Sequence, residues 1–222
     1  MSTPDHLSYS GTVVQRPWDA RLARVLVTPL KDTWITPNHL TTVRLGVGLA
    51  ASAAFLPGTY GWSNVAALLL VLSNFLDHTD GELARLSGKS SRIGHVYDLA
   101  SDAAVTILLF IAMAVGASAG AAPESRLHVP SLALGLIAGF AIALIFFLRM
   151  RIEDMAGKAV SRQAALGGFE TEDVLYLLPL VTLSDAVMPF LTAAAACAPL
   201  FAFWVVLDYR RVSRQQTPRV AR

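Results

Sequence analysis

Cysteine is almost absent from this chain of 222 residues: Cys197 stands alone inside an apolar run. A single thiol excludes a disulfide framework and any cysteine-based metal site. Charge is scarce as well, at 15% of residues, where a soluble domain carries about 25%. The formal net charge is only +2, so composition gives no footing for nucleic-acid binding and none is expected. Residues 1–16 are polar and hold no apolar core of the kind a cleaved secretory signal needs, so no such signal is expected. There is no internal repeat, and the alanine run 193–196 is the only low-complexity stretch.

What the chain has instead is long apolar runs. Hydrophobic residues make up 54% of the sequence, and the mean hydropathy is +0.52. A bilayer crossing needs roughly 20 helical residues. The clearest candidates are residues 103–120, 129–148 and 187–207. Residues 40–56 form a less uniform one that opens behind Pro37, and residues 62–76 form another that turns polar at Asp77. Residues 174–186, interrupted by Pro179, form the weakest, which packing in a bundle can tolerate. The expected fold is therefore an all-α membrane protein with six transmembrane helices.

The basic residues agree with that count. Cytoplasmic loops are enriched in Lys and Arg. Arg16, Arg21, Arg24 and Lys31 precede the first span, and Arg85, Lys89 and Arg92 separate the second from the third. Arg149, Arg151, Lys158 and Arg162 follow the fourth, and Arg210, Arg211, Arg214, Arg219 and Arg222 follow the sixth. The opposite loops contain only Arg126. Both termini are expected to be cytoplasmic, in a bacterial inner membrane. Ahead of the first span, Trp18, Leu22, Val25 and Leu26 share a helical face flanked by Arg21 and Arg24, the pattern of an amphipathic helix lying in the interface. The expected organisation is a cytoplasmic N-terminal segment with that helix (1–36), a transmembrane catalytic domain (37–210) and a basic tail (211–222).

Against this apolar background, the stretch from Asp77 to Asp102 places four aspartates at the ends of two spans. A charge at a helix centre in a bilayer costs about 2.5–3.5 kcal/mol on insertion scales. Asp77 and Asp80 are three apart and share a face, while Gly94, Asp98 and Asp102 form a stripe at intervals of four. If the short loop makes these helices antiparallel neighbours, four carboxylates converge. Divalent cations that prefer oxygen ligands are the natural neutralisers, and Mg²⁺ or Mn²⁺ keeps positions open for phosphates. Gly81 and Gly94 allow close approach of a ligand, and Arg85 offers a planar fork for a phosphate. These parts suit phosphoryl transfer.

Asp77, Asp80, Gly81, Ala84, Arg85, Gly94, Asp98 and Asp102 fit D-x2-D-G-x2-A-R-x8-G-x3-D-x3-D without a gap. With these residues, and with Pro37-Asn38-x-Leu40-Thr41 opening the first span, the chain resembles the CDP-alcohol phosphotransferases over most of its length. The resemblance implies transfer of a substituted phosphate, most simply phosphatidyl from CDP-diacylglycerol, to an alcohol acceptor with release of CMP, in phospholipid biosynthesis. It implies two divalent cations, Mg²⁺ or Mn²⁺, bridged by Asp77 and Asp98 and completed by Asp80 and Asp102, with Asp102 as proton acceptor. Asn38, Thr41, Gly81, Ala84, Arg85, Ser91 and Gly94 would hold the CDP donor. Arg149, Arg151 and Lys158 would meet the acceptor, and a homodimer is implied. The acidic run 170–173 stands where relatives that take phosphorylated inositol tend to place an arginine.

Beside the motif, Glu82 reads as solvated, and His78 and His95 as packing or supporting residues rather than catalytic ones. Arg44, inside the first span, either snorkels to the headgroups or points inward to a phosphate. A soluble donor such as CDP-inositol is the alternative within the same chemistry. A membrane prenyltransferase would need a second aspartate-rich motif, which Asp185 alone does not supply. A divalent-cation transporter would place its acids near the midplane across several helices.

Overall fold

The computed structural model describes residues 18–89, 91–119, 128–156 and 176–216, and the regular structure among them is helical. The order is α1 (Trp18–Val27), a 3₁₀ turn (Thr28–Leu30), α2 (Pro37–Phe55), α3 (Tyr60–Ser87), α4 (Arg92–Ala119), α5 (His128–Ala156), α6 (Leu178–Leu183) and α7 (Val187–Gln216). Helix is the form that satisfies backbone groups within one apolar segment.

Among the described residues, three helical stretches, α4, residues 131–156 of α5 and residues 187–215 of α7, are long and apolar enough to cross a membrane. Their outward residues agree. Phe140, Leu200 and Phe203 are 57%, 73% and 66% exposed, a surface that water would penalise and lipid accepts. The expected fifth span is represented by α6, six residues long, and residues 157–175 lie outside the described residues. At 1.5 Å per residue, such a helix covers about 9 Å.

The ends of these helices fix where the polar residues gather. Pro37 sits in the first turn of α2, where its missing N–H costs nothing, and the Thr36 N–H donates to His39 Nδ1 at 3.1 Å. α3 runs on past its apolar part and stops at Gly88, whose φ of +66° is the left-handed conformation that favours glycine at a helix end. Ser91 then caps α4, its Oγ accepting from the Gly94 N–H at 2.9 Å.

α2 packs on both α3 and α4, which make no direct backbone approach to each other among the described residues. Their acidic side chains nonetheless converge, Asp77 of α3 with Asp98 and Asp102 of α4, against Arg44 of α2. Gly48 makes this possible, since a Cβ there would lie 2.7 Å from Val105 and 3.1 Å from Ser73 Oγ. α1 packs on α3 with Ala23 and Val27 buried, while Leu22, Val25 and Leu26 are exposed. The apolar core below the acids gathers Phe55, Leu70, Leu109, Phe110, Met113, Leu178 and Leu191. A second core joins α5 to α7 through Ile145, Leu148, Ile152, Ala198, Ala202 and Val205. Between α4 and α5, Gly135 faces the Phe110 carbonyl so closely that a Cβ would come within 2.6 Å. Gly139, one turn on, lies against Ile107, a small-x-x-x-small seam of the kind membrane helices use.

Candidate active site

The site is built around a guanidinium. Arg44, on α2, is 4% exposed, and it points inward to carboxylates and does not snorkel to the headgroups. Its Nη1 pairs with Asp77 Oδ1 and lies 2.5 Å from Asp102 Oδ1. Its Nη2 donates to Asp98 Oδ1 at 2.8 Å and to the Asp98 carbonyl at 3.2 Å. Its Nε lies 4.0 Å from Asp80 Oδ2. The spacing of three and four residues that relates Thr41, Arg44 and Gly48 puts them on one face of α2, which is the signal that could have resolved this arginine. Ser73 Oγ, on α3, donates to the Arg44 carbonyl at 3.1 Å and anchors the helix at that level.

All four aspartates of the motif therefore meet one cation. Asp77, Asp98 and Asp102 each offer a carboxylate oxygen, and these atoms lie within 4.8 Å of one another. Their side chains are 32%, 37% and 42% exposed, so the triad opens outward. Asp80 lies behind it, with a side chain only 7% exposed. Thr41 Oγ1 donates to Asp80 Oδ2 at 2.8 Å, joining the first turn of α2 to α3.

Four carboxylates against one guanidinium leave an excess of three negative charges at full ionisation. Buried like charges repel strongly in a low dielectric. An all-carboxylate donor set with an open side suits hard divalent cations such as Mg²⁺ or Mn²⁺ better than zinc, whose sites usually include His or Cys. The residues present thus fit the cations expected from the sequence.

Other residues singled out from the sequence lie around this cluster. Asn38 Oδ1 approaches Gly94 so closely that a Cβ there would come within 2.6 Å, with Ser91 Oγ at 3.1 Å. The starts of α2 and α4 therefore share one polar patch. Gly81 faces open space, and Ala84 accepts the Gly88 N–H that ends α3. Tyr97, which no motif in the sequence marks, joins that patch through a 3.0 Å hydrogen bond with Thr42. His95 faces Asp154 of α5 at 3.9 Å, and His78 is half-buried.

Glu82 corrects its reading. It is 1% exposed, with Oε1 2.5 Å from Arg85 Nη1 and Oε2 3.7 Å from Arg24 Nη1. Two residues beyond Asp80, it points about 200° away around the helix, so it turns from α2 towards α1. Arg149 lies over the rings of Phe201 and Trp204, at 5.7 and 5.9 Å, and Arg151 is exposed. Lys158 lies outside the described residues.

Comparison with known proteins gives a concordant result. The sequence profile described as CDP-alcohol phosphatidyltransferase matches residues 34–209. The chain is similar to a Bifunctional IPC transferase and DIPP synthase of Rubrobacter xylanophilus, 32% identical over 150 residues that cover 68% of this chain and 30% of the relative. It is similar also to Cholinephosphotransferase 1 of Danio rerio, 29% identical over 100 residues that cover 41% of this chain and 26% of the relative. The matched region thus spans less than a third of either relative's length.

Proposed function

The chain belongs to the CDP-alcohol phosphatidyltransferase family, and from that premise we propose that it transfers a substituted phosphate, phosphatidyl in the favoured reading, from a CDP-linked donor to an alcohol. The observation that carries this reading is the convergence of Asp77, Asp98 and Asp102 beside the end of a helix apolar enough to cross a membrane. A lipid donor is supported by the apolar surface of that helix bundle.

Asp77 and Asp98 would bridge two divalent cations, with Asp80 and Asp102 completing one site each. Bound there, the cations supply Lewis-acid stabilisation of the diphosphate and of the departing phosphate oxygens. Gly81 leaves room beside the acids, and Arg85 presents its outward N–H groups to the diphosphate. Asn38, Thr41, Ala84, Ser91 and Gly94 form the rest of the donor cradle. The acceptor hydroxyl attacks the phosphorus that carries the alcohol or diacylglycerol group. The phosphorus–oxygen bond to CMP breaks, and CMP leaves. Asp102, the most exposed of the triad, takes the hydroxyl proton. Arg149, Arg151 and Lys158 remain the basic groups for an acceptor. In this reading the chain has six crossings, α1 lies in the interface with Leu22, Val25 and Leu26 toward lipid, and two copies form a homodimer in a bacterial inner membrane, sites cytoplasmic.

The test is CMP release in Mn²⁺ from CDP-diacylglycerol and from a soluble CDP-alcohol, against a panel of serine, glycerol phosphate, inositol and inositol phosphate. Asp98→Asn is expected to lower turnover about a thousandfold. Turnover equal to wild type would defeat the metal assignment. Nucleotide-independent metal flux into liposomes would favour a transporter instead.

A further inference from the structure

Glu82 lies outside the eight-residue motif, yet among the described residues it is the most buried charged one, at 1% exposed. Its two carboxylate oxygens face two arginines whose side chains are largely open: Arg85 is 57% exposed and Arg24 is 45% exposed. A carboxylate taken out of water is costly, and an apolar residue of similar volume is often as stabilising at such a position. Helix docking alone therefore gives little reason for an acid here. An effect on Arg85 does give one. Arg has five N–H donors in a fixed plane. One of them, on Nη1, is held by Glu82 at 2.5 Å, which fixes the plane and, on a side chain 57% exposed, leaves other donors able to turn to a ligand's phosphate oxygens.

We infer that Glu82 is a positioning residue for the donor: it clamps the Arg85 fork toward the diphosphate of a CDP-linked ligand and, through Arg24, ties α1 to the same point. Glu82 is turned away from Asp80, so it serves the nucleotide side of the site while the aspartates serve the cations. The inference rests on the proposed function, which makes Arg85 a donor-binding group. It assigns the pair Glu82–Arg85 to affinity for the donor, not to the chemical step.

The test uses the full chain in detergent with Mn²⁺, measuring CDP binding by calorimetry and CMP release across donor concentrations. Glu82→Gln keeps the shape and one acceptor oxygen but loses the charge. It is expected to weaken CDP binding about tenfold and to raise the donor KM by the same factor, with kcat at saturating donor lowered less than about twofold. In the double variant with Arg85→Gln, binding is expected to be no weaker than with Arg85→Gln alone, because the two residues act as one unit. CDP affinity unchanged by Glu82→Gln, or a loss that adds fully to that of Arg85→Gln, overturns the inference and leaves the proposed function standing. A wild-type chain that binds no CDP overturns both. If thermal unfolding shows that Glu82→Gln does not fold, Glu82→Asp, which keeps the charge but shortens the reach, is read by the same two criteria.

Discussion

α4 belongs to two regions held together by opposite means. At its first turns it joins α2 and α3 through charge: Asp98 and Asp102 meet Arg44, which also holds Asp77. Further along, it joins α5 through the absence of side chains, with Gly135 and Gly139 set against Phe110 and Ile107. At full ionisation the first region carries more negative charge than its one guanidinium balances, so its stability is expected to respond to added divalent cations. The second has no charge to balance and depends only on shape. One helix thus links a region held by charge to one held by close packing.

The largest expected effect separates the two by removing the guanidinium. Arg44→Leu leaves four carboxylates facing one another with no cation. Breaking a buried pair costs about 3–5 kcal/mol; here about 2–3 kcal/mol is expected, because Asp98 and Asp102 are more than a third exposed. That loss should appear as a lower Tm in chelator. Excess Mn²⁺ should recover most of it, since a ligand at a hundred times its Kd stabilises the folded state by about 2.7 kcal/mol. A Tm loss identical with and without divalent cation would mean that the acids do not form a cation site.

A pair of glycine substitutions sharpens the contrast. A Cβ at Gly135 would meet the Phe110 carbonyl at 2.6 Å and Ala114 at 2.7 Å, so Gly135→Ala forces the seam apart at a cost of about 1–3 kcal/mol. The Mn²⁺ concentration for half-maximal CMP release should not change. Gly48→Ala meets Val105 at 2.7 Å and Ser73 at 3.1 Å and should cost a similar amount of stability. Val105 follows Asp102 by three residues and Ser73 precedes Asp77 by four, so this variant should also raise the Mn²⁺ requirement. Equal Mn²⁺ dependence in both variants would show that the two regions are not separable.

The acids were legible in the sequence because helical spacing alone puts Asp77 with Asp80 and Asp98 with Asp102 on shared faces. The helices were legible because long apolar runs have few alternatives in a bilayer. What escaped was determined by which helix stands next to which. The loop from α3 to α4 is short enough to suggest direct packing, yet both backbones pack on α2, whose Thr41 stands 39 residues before Asp80 and bonds to it. Glu82 is surrounded in sequence by charged residues, and nothing local shows that α1 covers it. Arg149 is read from the sequence as an acceptor group, and its place over Phe201 and Trp204, more than fifty residues later, is not visible there. Spacing within one helix is readable; adjacency between helices was not.

The smallest effect asks whether Asp80 belongs to the charged region or merely to the packing around it. Thr41 is 3% exposed, and its hydroxyl is 2.8 Å from Asp80 Oδ2, closer than its 3.2 Å approach to the Pro37 carbonyl. Thr41→Val keeps the volume and removes only the donor. Arg44 Nε, at 4.0 Å, is too far to replace it with a hydrogen bond. A buried carboxylate oxygen that loses its donor costs about 1–3 kcal/mol, and about 1 kcal/mol is expected with Arg44 still nearby. If Asp80 is part of the cation site, CMP release should fall about threefold, while Gly135→Ala, the more destabilising change, leaves turnover of the folded enzyme intact. Thr41→Ser, which restores the hydroxyl, should return to near wild type. A valine variant as active as wild type would place Asp80 outside the reacting region, and the motif's second aspartate would then be a packing residue whose charge Arg44 offsets.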